Sequence, residues 1–266
     1  MPGGKIAYDI AGEGPTVVFV HAAIADRRMW DREFHEYATK GTAVRYDVRG
    51  FGKSPAATAP YSDVDDLRAL LRHLGPGPVT LVGCSNGGRL AIDFALEHRS
   101  SVLGMLLVSP GLSGFAAELE PDGAADYERD GVRSSAIWKA WKAGRKDEAL
   151  EQLREYWASA QTGANLELVR QMMRDNASEI FTDQSAQHSQ PISPPAAKRL
   201  KSLRVPTVVL YGDRDEPTMR YIVRHIVANI PHSRLVTIPG GDHLLNLSRP
   251  EEFDRAFREL LAHERK

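Results

Sequence analysis

The stretch Val79–Leu90, VTLVGCSNGGRL, decides the fold. The apolar run Thr80-Leu81-Val82 stops at Gly83, Cys84 and Ser85 follow, and Asn86-Gly87-Gly88 open what reads as a helix. A strand that turns directly into a helix forces the residue at its apex into strained, left-handed backbone angles. The chain two residues before the apex then lies close to the chain two residues after it. Only small side chains fit there, and Gly83 and Gly87 hold those places. Such a turn pushes the Ser85 hydroxyl out of the sheet edge, beside a helix N-terminus whose free N–H groups favour negative charge. The spacing Gly83-x-Ser85-x-Gly87, between a strand and a helix, is the pattern of a serine nucleophile.

Working outward, short apolar segments alternate with helical patterns. Lys5–Asp9 and Thr16–Val20 read as strands joined by the turn AGEGP, and Ala43–Asp47, Val79–Val82 and Leu103–Val108 as further strands. Helices are expected over Asp26–Thr39, Tyr61–Leu74 (with Ser62 as N-cap) and Asn86–His98. The rhythm breaks after Gly111: residues 116–183 hold no convincing strand but several amphipathic helical patterns, and a Pro-rich connector, SQPISPPAAKRL, follows. It then resumes with strand Thr207–Leu210, helix Met219–Asn229, strand Leu235–Ile238 and helix Pro250–Ala262. Strands alternating with helices imply parallel pairing through right-handed crossovers, hence an α/β sheet covered on both faces.

Bulk properties narrow the function classes. The chain has 266 residues, 42% hydrophobic and 26% charged, enough to bury a large core without disulfides or metals. Cys84 is the single cysteine, so no intramolecular disulfide framework exists and a Cys-based zinc site is not expected. A formal net charge of −1 gives no electrostatic reason to expect DNA, RNA or anionic lipid as a partner. The N-terminal MPGGKIAYDI shows no basic leader followed by an apolar stretch, and no run is long enough to span a membrane. A cytoplasmic monomer or homodimer acting on a small molecule, with no metal or organic cofactor, is the expectation.

A serine needs a base. Of nine histidines, His243 stands out, in the loop PGGDHLLNL between the last strand and the last helix. His73, His98, His225 and His263 fall on charged helix faces and are expected to be solvated, and His188 lies near the Pro-rich connector. The base needs a carboxylate to fix its tautomer. YGDRDEP, after strand Thr207–Leu210, offers Asp213 and Asp215; Asp215 is preferred, leaving Asp213 to hydrogen-bond the turn. Asp242 adjoins His243, but neighbours in a loop rarely aim their side chains at each other.

At this point FVHAAIADRRMW, VRYDVRGFGKS, LVGCSNGGRLAIDFALEHR, VPTVVLYGDRDEP and IPGGDHLLNLSRPEEF, in that order, make the chain resemble the serine-dependent α/β-hydrolases, most closely their enol-lactonases and small carboxylesterases. The chain order Ser85, Asp215, His243 is the order that fold uses. The resemblance implies an acid three residues after Gly212, which is Asp215. The family's proline, often four residues past the acid, stands here after two, as Pro217, so Asp213 remains the alternative. It also implies an oxyanion hole from the backbone N–H groups of Asn86 and of Ala23, in a loop reading His21-Ala22-Ala23 where the family usually has His-Gly-x. His21 is expected to hold that loop. Removing one such donor typically costs about 2.7–4 kcal/mol of transition-state stabilisation. Asp47, Arg49, Gly50 and Gly52 are read as a structural turn. GFGKS is not a phosphate loop, because the position five before Gly52 is Asp47 rather than glycine. Related dehalogenases and epoxide hydrolases carry an aspartate nucleophile where this chain has Ser85.

The implied architecture is a mostly parallel twisted sheet with helices on both faces and an inserted all-helical cap, divided as core 1–112, cap 113–198 and core 199–266. The implied chemistry is hydrolysis of an ester or lactone of a small, fairly apolar molecule through an acyl-enzyme. Trp30, Trp138, Trp141 and Leu244 are candidate substrate contacts, with Tyr156 and Trp157 among the aromatics of the helical block. The rival reading keeps the fold without hydrolysis, as a lyase, acyltransferase, cyclisation catalyst or small-molecule receptor, since fold alone does not decide among them.

Overall fold

A computed structural model describes residues 4–75, 77–116, 120–182 and 189–263. Seven strands form one sheet: β1 (Tyr8–Ala11), β2 (Thr16–Val20), β3 (Thr42–Tyr46), β4 (Val79–Cys84), β5 (Val102–Val108), β6 (Thr207–Gly212) and β7 (Ser233–Ile238). Their order is β1-β3-β2-β4-β5-β6-β7, with β1 antiparallel to β3 and every other pair parallel. The first strand therefore starts later than Lys5, and AGEGP does not close a hairpin, because β3 lies between β1 and β2.

Alternation along the central strands builds two cores. Val17 and Phe19 of β2, Val82 and Cys84 of β4, Leu106 and Val108 of β5 and Val208 and Leu210 of β6 face one side. There they meet helix α1 (Asp31–Ala38) through Phe34 and Tyr37, and the last helix through Phe253, Phe257 and Leu260. Val18, Val20, Leu81, Met105, Leu107 and Val209 face the other side. Helix α2 (Asp63–Leu74) covers that face with Leu67 and Leu70, and helix α3 (Asn86–Glu97) with Leu90 and Phe94. Because both faces are buried, these strands read as continuous apolar runs rather than alternating ones.

Local capping explains the helix ends. Ser62 Oγ accepts from the Asp65 backbone N–H at 3.2 Å, and Asp63, Asp65 and Asp66 occupy the positive first turn of α2. Gly75, at φ 85°, closes that helix in a left-handed conformation. The helix expected over Asp26–Thr39 divides instead. Asp26 caps a 3₁₀ turn, Arg27–Trp30, by accepting from Arg28 N, and α1 begins only at Asp31.

Between β5 and β6 the described residues form no named strand. Helices α4 (Gly123–Lys142), α5 (Lys146–Trp157), α6 (Gly163–Asp175) and α7 (Ala177–Ile180) occupy this insertion. Ile137, Leu153, Val169 and Met172 continue the first core. Helices α8 (Met219–Asn229), α9 (Leu245–Ser248) and α10 (Pro250–His263) complete the chain. Among the described residues, no helix is long and apolar enough to cross a membrane.

Candidate active site

Strands β4, β5 and β6 run parallel side by side, so the loops after them share one rim of the sheet. Ser85 sits at that rim with φ 55° and ψ −117°, the strained conformation expected of a strand-to-helix apex. A Cβ added at Gly83 would run into the Gly87 carbonyl, and one at Gly87 into the carbonyls of Val20 and His21. The two glycines are thus required by backbone approach across the turn and towards the end of β2.

The loop after β6 supplies the carboxylates. Asp213 Oδ1 accepts from Gly240 N at 2.6 Å and braces the loop. Asp215 receives His243: Nδ1 lies 2.9 Å from both carboxylate oxygens, with the His243 and Asp215 side chains 2% and 0% exposed. A carboxylate only accepts, so Nδ1 carries the proton and Nε2 is left as the basic nitrogen. Glu216 N donates to Asp215 Oδ1 at 2.8 Å and fixes the carboxylate from behind. The His243 loop is tied to the turn that bears Ser85 by Cys84 Sγ, 3.4 Å from the His243 carbonyl oxygen. Among the described residues no hydrogen bond joins Ser85 to His243. In enzymes without substrate such contacts are often long and tighten in the complex.

The Ala23 and Asn86 backbone N–H groups have no acceptor among the described residues. Asn86 is the first residue of α3, so its N–H lies in the helix's positive end. His21 spans the loop that holds Ala23: Nδ1 donates to Ala22 O at 2.8 Å while Nε2 accepts from Val48 N at 2.9 Å. Complete burial lowers its pKa, consistent with this neutral, doubly used imidazole. The Asp47–Gly52 turn is structural. Asp47 accepts from Arg27 N and Lys53 N, Arg49 pairs with Asp66 at 2.5 and 2.8 Å, and a Cβ at Gly52 would strike the Asp47 carboxylate.

Several expected contacts lie elsewhere. Trp30 is fully buried and packs on Phe19 and Phe253 at ring separations of 5.5 and 5.8 Å, which makes it core. Leu244 is likewise fully buried. Trp141 stacks on Phe181 at 4.1 Å, and Trp138 meets the same ring edge-on at 5.4 Å. An aromatic facing a helical insertion is first called upon to close its own core. His225 is half-buried rather than solvated, with its ring 5.0 Å from Phe115. His188 and the His263 side chain lie outside the described residues.

Two features carry no signal in the sequence pattern. Trp157, from the end of α5, packs its ring 4.4 Å from the His243 ring, and its carbonyl accepts the His243 N–H at 3.2 Å. Asp242, fully buried, turns away from His243. It accepts from Ala160 N, Gln161 Nε2, Leu244 N and Ser248 Oγ, so it ties the helical insertion to the histidine loop. A cavity of 840 Å³ runs up to Ala23 and Asn86. It combines Val48, Phe51 and Ile180 with Arg49, Arg89, Asp63 and Glu179, a more polar lining than the apolar pocket expected, and none of the four predicted contacts lines it.

Comparison with known proteins agrees with this fold. Over 263 residues, covering 97% of this chain and 98% of the relative, the sequence is 27% identical to a pimeloyl-[acyl-carrier protein] methyl ester esterase of Chromobacterium violaceum. A thermophilic esterase from Thermogutta terrifontis superposes with a TM-score of 0.77 at 26% identity, over 98% of this chain and 94% of that one. An enol-lactonase from Burkholderia xenovorans LB400 shares the fold, with a TM-score of 0.77 at 18% identity over 97% of both chains. The profile of the alpha/beta hydrolase family matches residues 17–256. With its profile match over residues 17–256 and a mostly parallel sheet in this strand order, the chain belongs to the alpha/beta hydrolase family.

Proposed function

We propose that this hydrolase cleaves an ester or lactone bond through a Ser85–His243–Asp215 triad and a covalent acyl-enzyme. The observation that carries the reading is the buried Asp215–His243 pair, 2.9 Å on both oxygens, tied through Cys84 to the turn that holds Ser85 at φ 55°. His243 Nε2 takes the Ser85 proton as Oγ attacks the carbonyl, and Asp215 holds the ring and stabilises the imidazolium. The free N–H groups of Ala23 and Asn86 receive the developing oxyanion. Collapse of the tetrahedral intermediate breaks the bond to the leaving alcohol, which takes the proton from His243. Water then repeats the sequence, with His243 as base, and releases the acid. The helical segment 113–198 acts as a cap over this rim, and Asp242 and Trp157 anchor it to the histidine loop.

A fluorophosphonate probe and a panel of p-nitrophenyl esters test the proposal. Wild-type protein is expected to label at Ser85 and turn over at least one short ester, while S85A and H243A abolish labelling. A folded protein that neither labels nor hydrolyses any ester refutes it.

A further inference from the structure

Helix α4 of the insertion meets the core beside the loop that carries Asp215. It presents Asp126, Asp130 and Arg133 on one face, at positions i, i+4 and i+7. Asp126 is held by fixed donors of α8, Arg220 Nη2 at 2.5 Å and the Tyr221 hydroxyl at 3.0 Å. One turn further on, the contact is of another kind. Arg133 Nη1 lies 2.7 Å from Glu216 Oε1, and its guanidinium covers the Tyr156 ring of α5, 4.7 Å from the centroid. Glu216 Oε2 and Asp130 Oδ2 are both buried with no N–H or hydroxyl donor among the described residues, yet the two carboxyls hydrogen-bond each other. Two carboxylates only accept, so one of the pair must carry a proton.

We propose that Glu216 and Asp130 share one proton, and that this proton makes the contact a pH-sensitive clamp of α4 on the loop of the triad acid. The clamp acts next to the site: Glu216 follows Asp215, and its backbone N–H donates to Asp215 Oδ1 at 2.8 Å. The inference rests on the hydrolase reading for what the clamp serves, whereas the clamp itself requires no turnover. Burial and the facing Asp130 raise Glu216 to about 8, with the charge of Asp215 adding and Arg133 opposing. The other groups around the pair do not titrate with it. Burial pushes Tyr156 above its ordinary value, with Asp130 and Glu216 adding, and Arg220 is spent on Asp126. Asp215 is bonded to His243. A carboxyl that holds its proton more tightly when clamped loses the clamp as pH rises through its raised value. Above that value Arg133 faces two carboxylates that repel each other.

Hydrogen exchange of the full chain, read by mass spectrometry over residues 126–137 and corrected for intrinsic rates, tests the clamp at pH 6.5 and pH 9. In wild type the protection should fall at least about threefold between these two pH values. E216Q and D130N put amide hydrogens, which pH does not remove, in place of the shared proton, and each should cut that fall by half or more. A smaller fall in wild type, or a fall that either folded amide variant leaves more than half in place, overturns the clamp. Fluorophosphonate labelling of the same preparations reads the site. The ratio of labelling rates at pH 9 and pH 6.5 should be at least about twofold higher in E216Q than in wild type, and an equal ratio overturns the link to the Asp215 loop. A pH-dependent clamp in a protein that does not label defeats the hydrolase reading alone, and labelling with pH-independent protection defeats the clamp alone.

Discussion

Replacing Asp215 by asparagine separates the two carboxylates of the β6 loop most sharply. Both Asp215 oxygens lie 2.9 Å from His243 Nδ1 in a site closed to solvent, so the substitution leaves shape almost unchanged. It changes the hydrogen-bond code. The amide turns an N–H towards Nδ1, stabilises the tautomer with its proton on Nε2, and so removes the base that the proposed triad requires. Loss of the imidazolium's counter-charge adds to this. An asparagine in this role elsewhere lowers kcat about 10⁴-fold, equivalent to about 5.4 kcal/mol at 1.36 kcal/mol per tenfold. D213N is the internal control. Asp213 braces Gly240 N at 2.6 Å, so its loss should cost about 1 kcal/mol of stability and leave kcat within a few-fold. Stopped-flow hydrolysis of a p-nitrophenyl ester, with circular dichroism to verify folding, reads both variants. A D215N protein that retains more than a tenth of wild-type kcat, or a larger loss in D213N, refutes the assignment.

Three further outcomes are expected. G87A directs a Cβ into the Val20 and His21 carbonyls and should lower unfolding stability by about 1–3 kcal/mol in urea titrations, more than G131A, where the added Cβ meets nothing. W157L removes the ring packed on His243, and kcat/KM for a p-nitrophenyl ester should fall about 3–10-fold. Glu216 is raised to about 8 by burial and by Asp130, with Arg133 opposing. An acid whose folded pKa exceeds its unfolded value binds more protons when folded, so its contribution to stability falls as pH rises from about 4.5 to about 8. E216Q removes that loss, and its melting temperature relative to wild type should be about 3 °C higher at pH 9 than at pH 5. An equal difference at both pH values would show that Glu216 does not titrate in this window.

The elbow and the sheet rhythm were legible in the sequence because their causes are local. Gly83 is small because the chain passes itself within five residues, although Gly87 is held small by the distant end of β2, and the apolar runs of β4, β5 and β6 are continuous because both faces of each strand are covered. The helical insertion was legible for the same reason, as a break in that rhythm. The packing of the candidate substrate contacts was not legible, since apolar character does not say which core a side chain joins: Trp30 and Leu244 are buried in the interior, and Trp138 and Trp141 pack on Phe181.

Taken alone, the sequence determined that a strained serine stands at the end of a parallel strand, and that a histidine and two aspartates occupy later loops. Tertiary structure decided which aspartate meets the histidine, because Asp215 and His243 are 28 residues apart and only the pairing of β6 with β7 brings their loops together. It also decided the charge of the cavity. Arg49, Arg89, Asp63 and Glu179 come from separate segments, and their balance depends on which ion pairs close. Local sterics are written residue by residue, whereas pairing between distant charges exists only once the chain has folded.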